Sequence, residues 1–471
     1  MPHFRRWIGL LSGIGLLSGV AIVIGVLWTR PFAASDHAAP TDTTEAGSVI
    51  WSAPITVVSG DAYRGPWRMN DSDWQFVDDP TVALADDGTA GVVWTDHVDN
   101  DLFFQAYGPD GEERLEAPVN VSQNPDTFSW LPRMVFPTGS PDTVYVLWQE
   151  IIFSGGTHGG EALFARSTDG GRSFSDPINL SQSVAGDGKG RLTTKLWHNG
   201  SLDLAVAPDG TVYTAWTEYE GRLWLSRSTD GGASFSDPIH VTGTDDVPAR
   251  GPSLAVATAG SLAVDPAGTV HLAWAVGEDP AADIHYTRST DAWNDVLQPQ
   301  TIAKSDGHSD APSLGVDPDG TVHLAYGESP AGPFQQYHVR YTRSPTGVDS
   351  FVASTPISDR SSDAYAEAHF PTLRAPSPDA LHVLWELYPT TADRSRALAY
   401  ARSPNGGETF GEPSVVPGTA DPAHGFNGSQ QGLLMEKLAV NGSGRLAVVN
   451  STFDRGEASH VWLYRGQNAE R

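Results

Sequence analysis

Five carboxylates stand just beyond apolar strands that end on an aromatic residue: Asp96 after GVVW, Glu150 after VYVLW, Glu218 after VYTAW, Glu328 after VHLAY and Glu386 after LHVLW. A second set stands two residues ahead of a proline: Asp78, Trp130, Arg250, Asp310 and His369. If both sets face one opening, a tryptophan face can stack on a sugar ring while the acids accept its hydroxyls. Paired carboxylates can also share acid and base work on a glycosidic bond. On this reading Glu150 and Glu218 are the candidate acid–base groups. Asp78, Trp130, Arg250, Asp310 and His369 are the candidate ligand contacts. Nothing calls for a cofactor or a metal. The acidic run DHVDND at 96–101 lacks the glycine and terminal glutamate of a calcium loop. The chain has no cysteine, which excludes disulfides and thiolate catalysis.

The elements that would hold these residues repeat. The aromatic-ended strand occurs seven times, counting the looser RLAVV at 445–449. A strand that precedes it also occurs seven times, as TVALADDG (81–88), DLAVAPDG (203–210), SLAVDPAG (261–268), SLGVDPDG (313–320) and three looser copies. Most copies end in the Pro, Asp and Gly residues that turn a hairpin. A third strand follows, as in LFAR, LWLSR, IHYTR and LAYAR. A fourth begins at proline, which has no N–H to donate and suits an outer edge. Six fourth strands follow their third strands, and the seventh, Pro54-Ile-Thr-Val57, lies at the other end of the chain. The expected fold is all-β: a seven-bladed β-propeller over residues 51–471, with four-stranded antiparallel blades and a ring closed by the N-terminal strand.

Between third and fourth strands the chain reads STDGGRSF at 167–174 and STDGGASF at 228–235. This S-x-D-x-G-x-x-[FW] pattern resembles the Asp box of sialidases and related bacterial-neuraminidase-repeat propellers. The resemblance implies a structural role for Asp169 and Asp230, and by position for Asp291 and Asn405 in the looser copies STDAWNDV (289–296) and SPNGGETF (403–410). It also implies a sialidase-like glycoside hydrolase or a glycan-binding relative. Sialidases keep an arginine ahead of the first strand of the first unit, where this chain has Asp78 in FVDDPTVAL. That favours a neutral or weakly charged glycan over sialic acid. A scaffold for protein partners is the third alternative.

Fold and charge bound the setting. Gly 49 and Pro 34 in 471 residues suit a turn-rich β protein. Residues 1–30 hold three arginines and no acid, which leaves 26 Lys and Arg against 57 Asp and Glu, a balance of −31. Such a surface is repelled by phosphate backbones, so nucleic acid is an unsuitable partner. Residues 7–28 are an uncharged apolar run long enough to span a bilayer. With Arg5 and Arg6 ahead of it, the segment reads as a signal anchor with a cytoplasmic N-terminus and an extracytoplasmic propeller, or a secreted one if the segment is cleaved. Residues 31–50 are small and polar, a flexible tether.

Overall fold

The computed structural model describes residues 49–468, apart from 66–72, 125, 155–156, 182–200, 218–220, 244–248, 257–268, 277–281, 290–297, 304–306, 333–335, 346–349, 359–364, 390–394, 421–425 and 428–435. The anchor segment 7–28, Glu218 and Asp291 lie outside the described residues. Among those described, no helix is long and apolar enough to cross a membrane.

Each repeat forms an antiparallel sheet, giving seven in all. Blade 1 comprises Val77–Leu84, Ala90–Asp96, Asp101–Tyr107 and Val119–Asn120. Blade 2 comprises Phe128–Val135, Val144–Ser154, Thr157–Ser167 and Ile178–Asn179. Blades 3 to 6 repeat the pattern, with first strands Leu202–Val206, Ala249–Val256, His308–Val316 and Glu367–Ser377. In blade 7, Leu438–Val440 pairs with Arg445–Asp454 and that strand with Ala458–Asn468. The outer partner is Ile55–Gly60, from the start of the chain, with Ile55 opposite Leu463.

The second strands are buried on both faces, which is why VYVLW, VHLAW and LHVLW read as nearly continuous apolar runs. Each of the seven largest apolar clusters straddles two blades. Phe104 of blade 1 packs with Met134, Val146 and Trp148 of blade 2. Val82 and Trp94 of blade 1 pack with Val449 and Leu463 of blade 7. A blade alone would leave both faces wet, so burial is completed only between neighbours.

One expectation needs correcting. The chain contains SLAV twice, at 253–256 and 261–264, and the sequence reading took the second copy as the first strand of blade 4. The strand is instead Ala249–Val256, paired with Val270–Val276. Its Arg250-Gly251-Pro252 step matches the bulge of the other blades, and 261–264 falls in the undescribed stretch 257–268.

The hairpins between third and fourth strands are hydrogen-bonded turns. Asp169 Oδ1 accepts from Ser167 Oγ (2.7 Å) and Ser173 N (3.0 Å), while Oδ2 accepts from Ser173 Oγ (2.6 Å). Asp230 repeats this with Ser228 and Ser234. Asn405 does so with Ser403 and Thr409 N, and its amide donates to Thr409 Oγ1. Gly171 has φ +83°, and a Cβ there would lie 2.0 Å from Phe104 of the preceding blade. A side chain at 171 is thus barred twice, by backbone conformation and by contact. The aromatic that ends each hairpin also turns its edge to the preceding blade: Phe174 on Phe104, Phe235 on Phe164, Phe410 on Tyr341, and Trp51 on Tyr400.

Candidate functional site at the channel mouth

The five first strands that carry a proline share one irregularity. Asp79, Leu131, Gly251, Ala311 and Phe370, each just ahead of the proline, have φ between 49° and 54°. Each marks a register shift that puts one extra residue into the first strand. Four of the five are not glycine, so the left-handed backbone is held against its preference. Bulges of this kind re-aim side chains. Here they turn Asp78, Trp130, Arg250, Asp310 and His369 at one level around the inner end of the ring.

Just past the bulge, the blades lock to one another. Leu254 N donates to Asp203 Oδ2 (2.6 Å), Leu314 N to Ser253 Oγ (2.9 Å) and Leu373 N to Ser313 Oγ (2.9 Å). These side chains border a small central cavity, open to solvent, whose wall also includes Arg133, Ala311, Phe370 and Glu436. Burial, with the Glu436 charge adding to it, pushes the Asp203 carboxyl up to about 7 against the pull of Arg133.

Around the mouth the five predicted contacts differ. Asp78 is buried and accepts from Ser451 Oγ of blade 7 (2.6 Å); burial raises its pKa. Trp130 is buried and donates Nε1–H to Gln149 Oε1 (2.9 Å). Arg250 is half-buried on the blade 4 bulge. Asp310 and His369 meet across the seam of blades 5 and 6, with Asp310 Oδ1 and His369 Nε2 2.6 Å apart. Asp310 Oδ2 lies 3.4 Å from His308 Nε2 and 3.5 Å from Tyr337 Oη. The His369 ring is stacked between Tyr337 (centroids 3.7 Å) and Phe370 (3.8 Å). Burial works against the Asp310 charge, but His369 and His308 outweigh it and hold the carboxyl well below the usual range.

Gly327 explains how His369 fits. It sits opposite Asp310 in blade 5, where blades 1, 2, 4 and 6 have Thr95, Gln149, Ala275 and Glu386 opposite the equivalent residues. A Cβ at Gly327 would lie 2.4 Å from His369 Cδ2, so the imidazole of blade 6 occupies the volume of a side chain missing from blade 5.

The carboxylates beyond the aromatic-ended strands do not form one ring. Glu150 is opposite Ser129, one residue out of step with Trp130 and Gln149, and therefore lies on the other face of the strand pair. It is fully buried and takes hydrogen bonds from Ser129 Oγ (2.6 Å), Trp148 Nε1 (2.8 Å) and Thr127 Oγ1. Burial pushes its carboxyl up to about 7. Glu328, opposite Ser309, is likewise on the face away from Asp310, and pairs with Arg340 at 3.3 Å. Glu386 follows its tryptophan by one residue instead of two. It shares a face with His369 and forms a buried ion pair with Lys437 of blade 7.

Sequence reasoning missed Glu367. It and Tyr388 are cross-strand partners in blade 6, two pairs outward from His369 and Glu386 and on the same face. Tyr388 donates to Glu386 Oε2 (2.5 Å), and burial raises its pKa. Burial also pushes Glu367 up to about 7, opposed by the nearby His369 charge. The available signal was Glu367-Ala-His369, two polar residues at strand spacing ahead of Pro371. Among the described residues no three His, Asp or Glu side chains are grouped to hold a metal.

No protein-family model matches the chain, and no curated protein matches it. Solved structures do. An ulvan lyase described as a new family of polysaccharide lyase superposes with a TM-score of 0.52 at 13% identity, covering 87% of this chain and 95% of its own. The BP39L lectin from Burkholderia pseudomallei superposes with a TM-score of 0.51 at 12% identity, covering 82% and 94%. These likenesses bear on the fold alone. A propeller hosts many unrelated activities, so the site must carry the functional argument.

Proposed function

We propose that the chain binds a glycan at the mouth of its central cavity, over blades 5 and 6. The observation that carries this reading is Asp310. It is an ionised, partly exposed acceptor that touches His369 and Tyr337 and directly precedes Ala311 of the cavity wall. Arg250, Trp130 and Asp78 complete the rim. With Asp78 in place of an arginine, the rim favours neutral or weakly charged sugars over sialic acid. The anchor reading of residues 7–28 would hold the propeller outside the membrane. The test is calorimetric titration with a panel of neutral oligosaccharides and sialosides against the native protein and Asp310→Ala. Neutral glycans should bind, and Asp310→Ala should weaken them about tenfold or more. A protein that binds no glycan is instead a scaffold.

A second reading is supported by Glu367. Two carboxyl groups whose pKa values are driven apart within one site suit a general acid and its charged companion. Here Glu367 sits near 7 and Asp310 is held ionised. On this reading the protein is a glycoside-cleaving enzyme, and Glu367→Gln abolishes turnover while sparing binding.

A further inference from the structure

The described carboxylates of the mouth and cavity divide by how their charge is met. Glu328 pairs with Arg340, Glu436 with Arg374 (2.8 Å) and Glu386 with Lys437. Asp78 and Glu150 are buried under hydroxyl and N–H donors and pushed towards their neutral forms. Asp310 belongs to neither kind. Its side chain is 23% exposed, its partners are His308, His369 and Tyr337, and no lysine or arginine pairs with it among the described residues. Its two oxygens also differ. Oδ1 is engaged by His369 at 2.6 Å, whereas the contacts of Oδ2, at 3.4 and 3.5 Å, are at or near the limit of a hydrogen bond. Oδ2 therefore holds no strong donor from the described residues.

The residues that follow complete the setting. Ala311 and Phe370, the chain neighbours of Asp310 and His369, line the central cavity. A ligand that reaches Oδ2 from the cavity passes an aromatic ring, and ring faces attract both sugar C–H groups and cations. The surplus of 57 acids over 26 bases beyond residue 30 draws cations towards the protein as a whole.

We infer that the glycan of this site is an amino sugar, with its ammonium group on Asp310 Oδ2 and its ring against Phe370. The inference rests on the glycan reading above and names its chemical class. It is tested by titrating matched pairs of free-amine and N-acetylated oligosaccharides of glucosamine and galactosamine at mildly acidic pH, with tetralysine as a non-sugar cation. At least one free-amine sugar should bind about tenfold or more tightly than its acetylated partner. Asp310→Asn should erase that preference, and Glu328→Gln, which alters a carboxylate already paired, should leave it. If Asp310→Asn fails to fold, Gly327→Ala, which crowds His369 and Asp310 without removing charge, should also weaken the preference. Equal binding of the two sugars of every pair overturns the inference and leaves the glycan reading standing. Tetralysine bound as tightly as the amino sugar overturns it too, because charge alone would then suffice. Failure of every one of these sugars to bind overturns the inference, while the glycan reading falls only if the neutral oligosaccharide panel also fails to bind.

Discussion

Asp169 and Asp310 are both short carboxylates at the edge of a strand pair, on hairpin and mouth respectively. In the hairpin, two serine hydroxyls and a backbone N–H surround Asp169. Burial is the largest single influence there and opposes the charge, but the hydroxyl and N–H bonds together outweigh it and lower the pKa. Asp230 is held low in the same way, first by Ser234. The donors all come from within eight residues, so the hairpin writes its complete environment into its own sequence and can be copied from blade to blade. At the mouth, the partners of Asp310 come from 59 residues away in His369 and from 27 away in Tyr337. Those of Asp78 and Glu386 come from blade 7. No two of these environments are alike. Repeated acids here are scaffold, and the acids that differ from blade to blade are the ones whose protonation the fold adjusts.

Breaking that comparison should have its largest effect where a buried mouth charge loses its cationic partner. Lys437→Met leaves Glu386 buried and uncompensated, and unfolding measurements should show a loss of about 3–5 kcal/mol. Adding Glu386→Gln should restore most of it, while the same double change scored as two independent losses would contradict a pair. Next comes Glu150. Its folded pKa, about 7, lies above the usual carboxylate value, so the native state binds a proton that the unfolded state has lost. Stability from this group is fully present below the unfolded pKa and is lost as pH rises towards 7. Glu150→Gln should therefore match the native protein near pH 4.5 and exceed it at pH 8 by about 3 kcal/mol. A pH-independent difference would show that Glu150 is ionised in the fold.

The hairpin changes should be smaller. Asp169→Ala and Asp230→Ala should each lower Tm by about 2 °C, add when combined, and leave glycan binding unchanged. A change in affinity would tie the two faces together. The smallest expected effect is a gain. Asn405→Asp lets Thr409 Oγ1 donate to a carboxylate, as Ser173 does to Asp169, and should raise Tm by about 1 °C. A fall would mean that the amide has a task that the other hairpins lack.

The same contrast explains what could be read from the sequence. Blade number and strand order were legible because each repeat carries its own turn residues and apolar alternation. The ring of Asp78, Trp130, Arg250, Asp310 and His369 was legible because a proline two residues on marks the bulge. Glu150 and Glu386 were misplaced as members of one ring. A one-residue offset after the tryptophan reverses the face, and single-residue register cannot be read from spacing to a loosely defined strand end. His369 against Asp310 depends on an absence in a neighbouring blade, the side chain of Gly327, and no local pattern announces it. Glu367 drew no notice because its raised pKa is a product of burial.

The pairing of Ile55–Gly60 with Ala458–Asn468 sets an order of events during synthesis. Ile55–Gly60 leaves the ribosome long before its partner, with roughly 400 residues between them. At 5–20 residues per second that is a wait of about 20–80 s. Throughout it, the nascent chain carries a bare strand at its front and a growing row of blades behind. Such an edge can pair with a neighbouring chain as readily as with its own. The protein's yield should therefore depend on what shields that leading strand until translation ends, before any property of the finished ring comes into play.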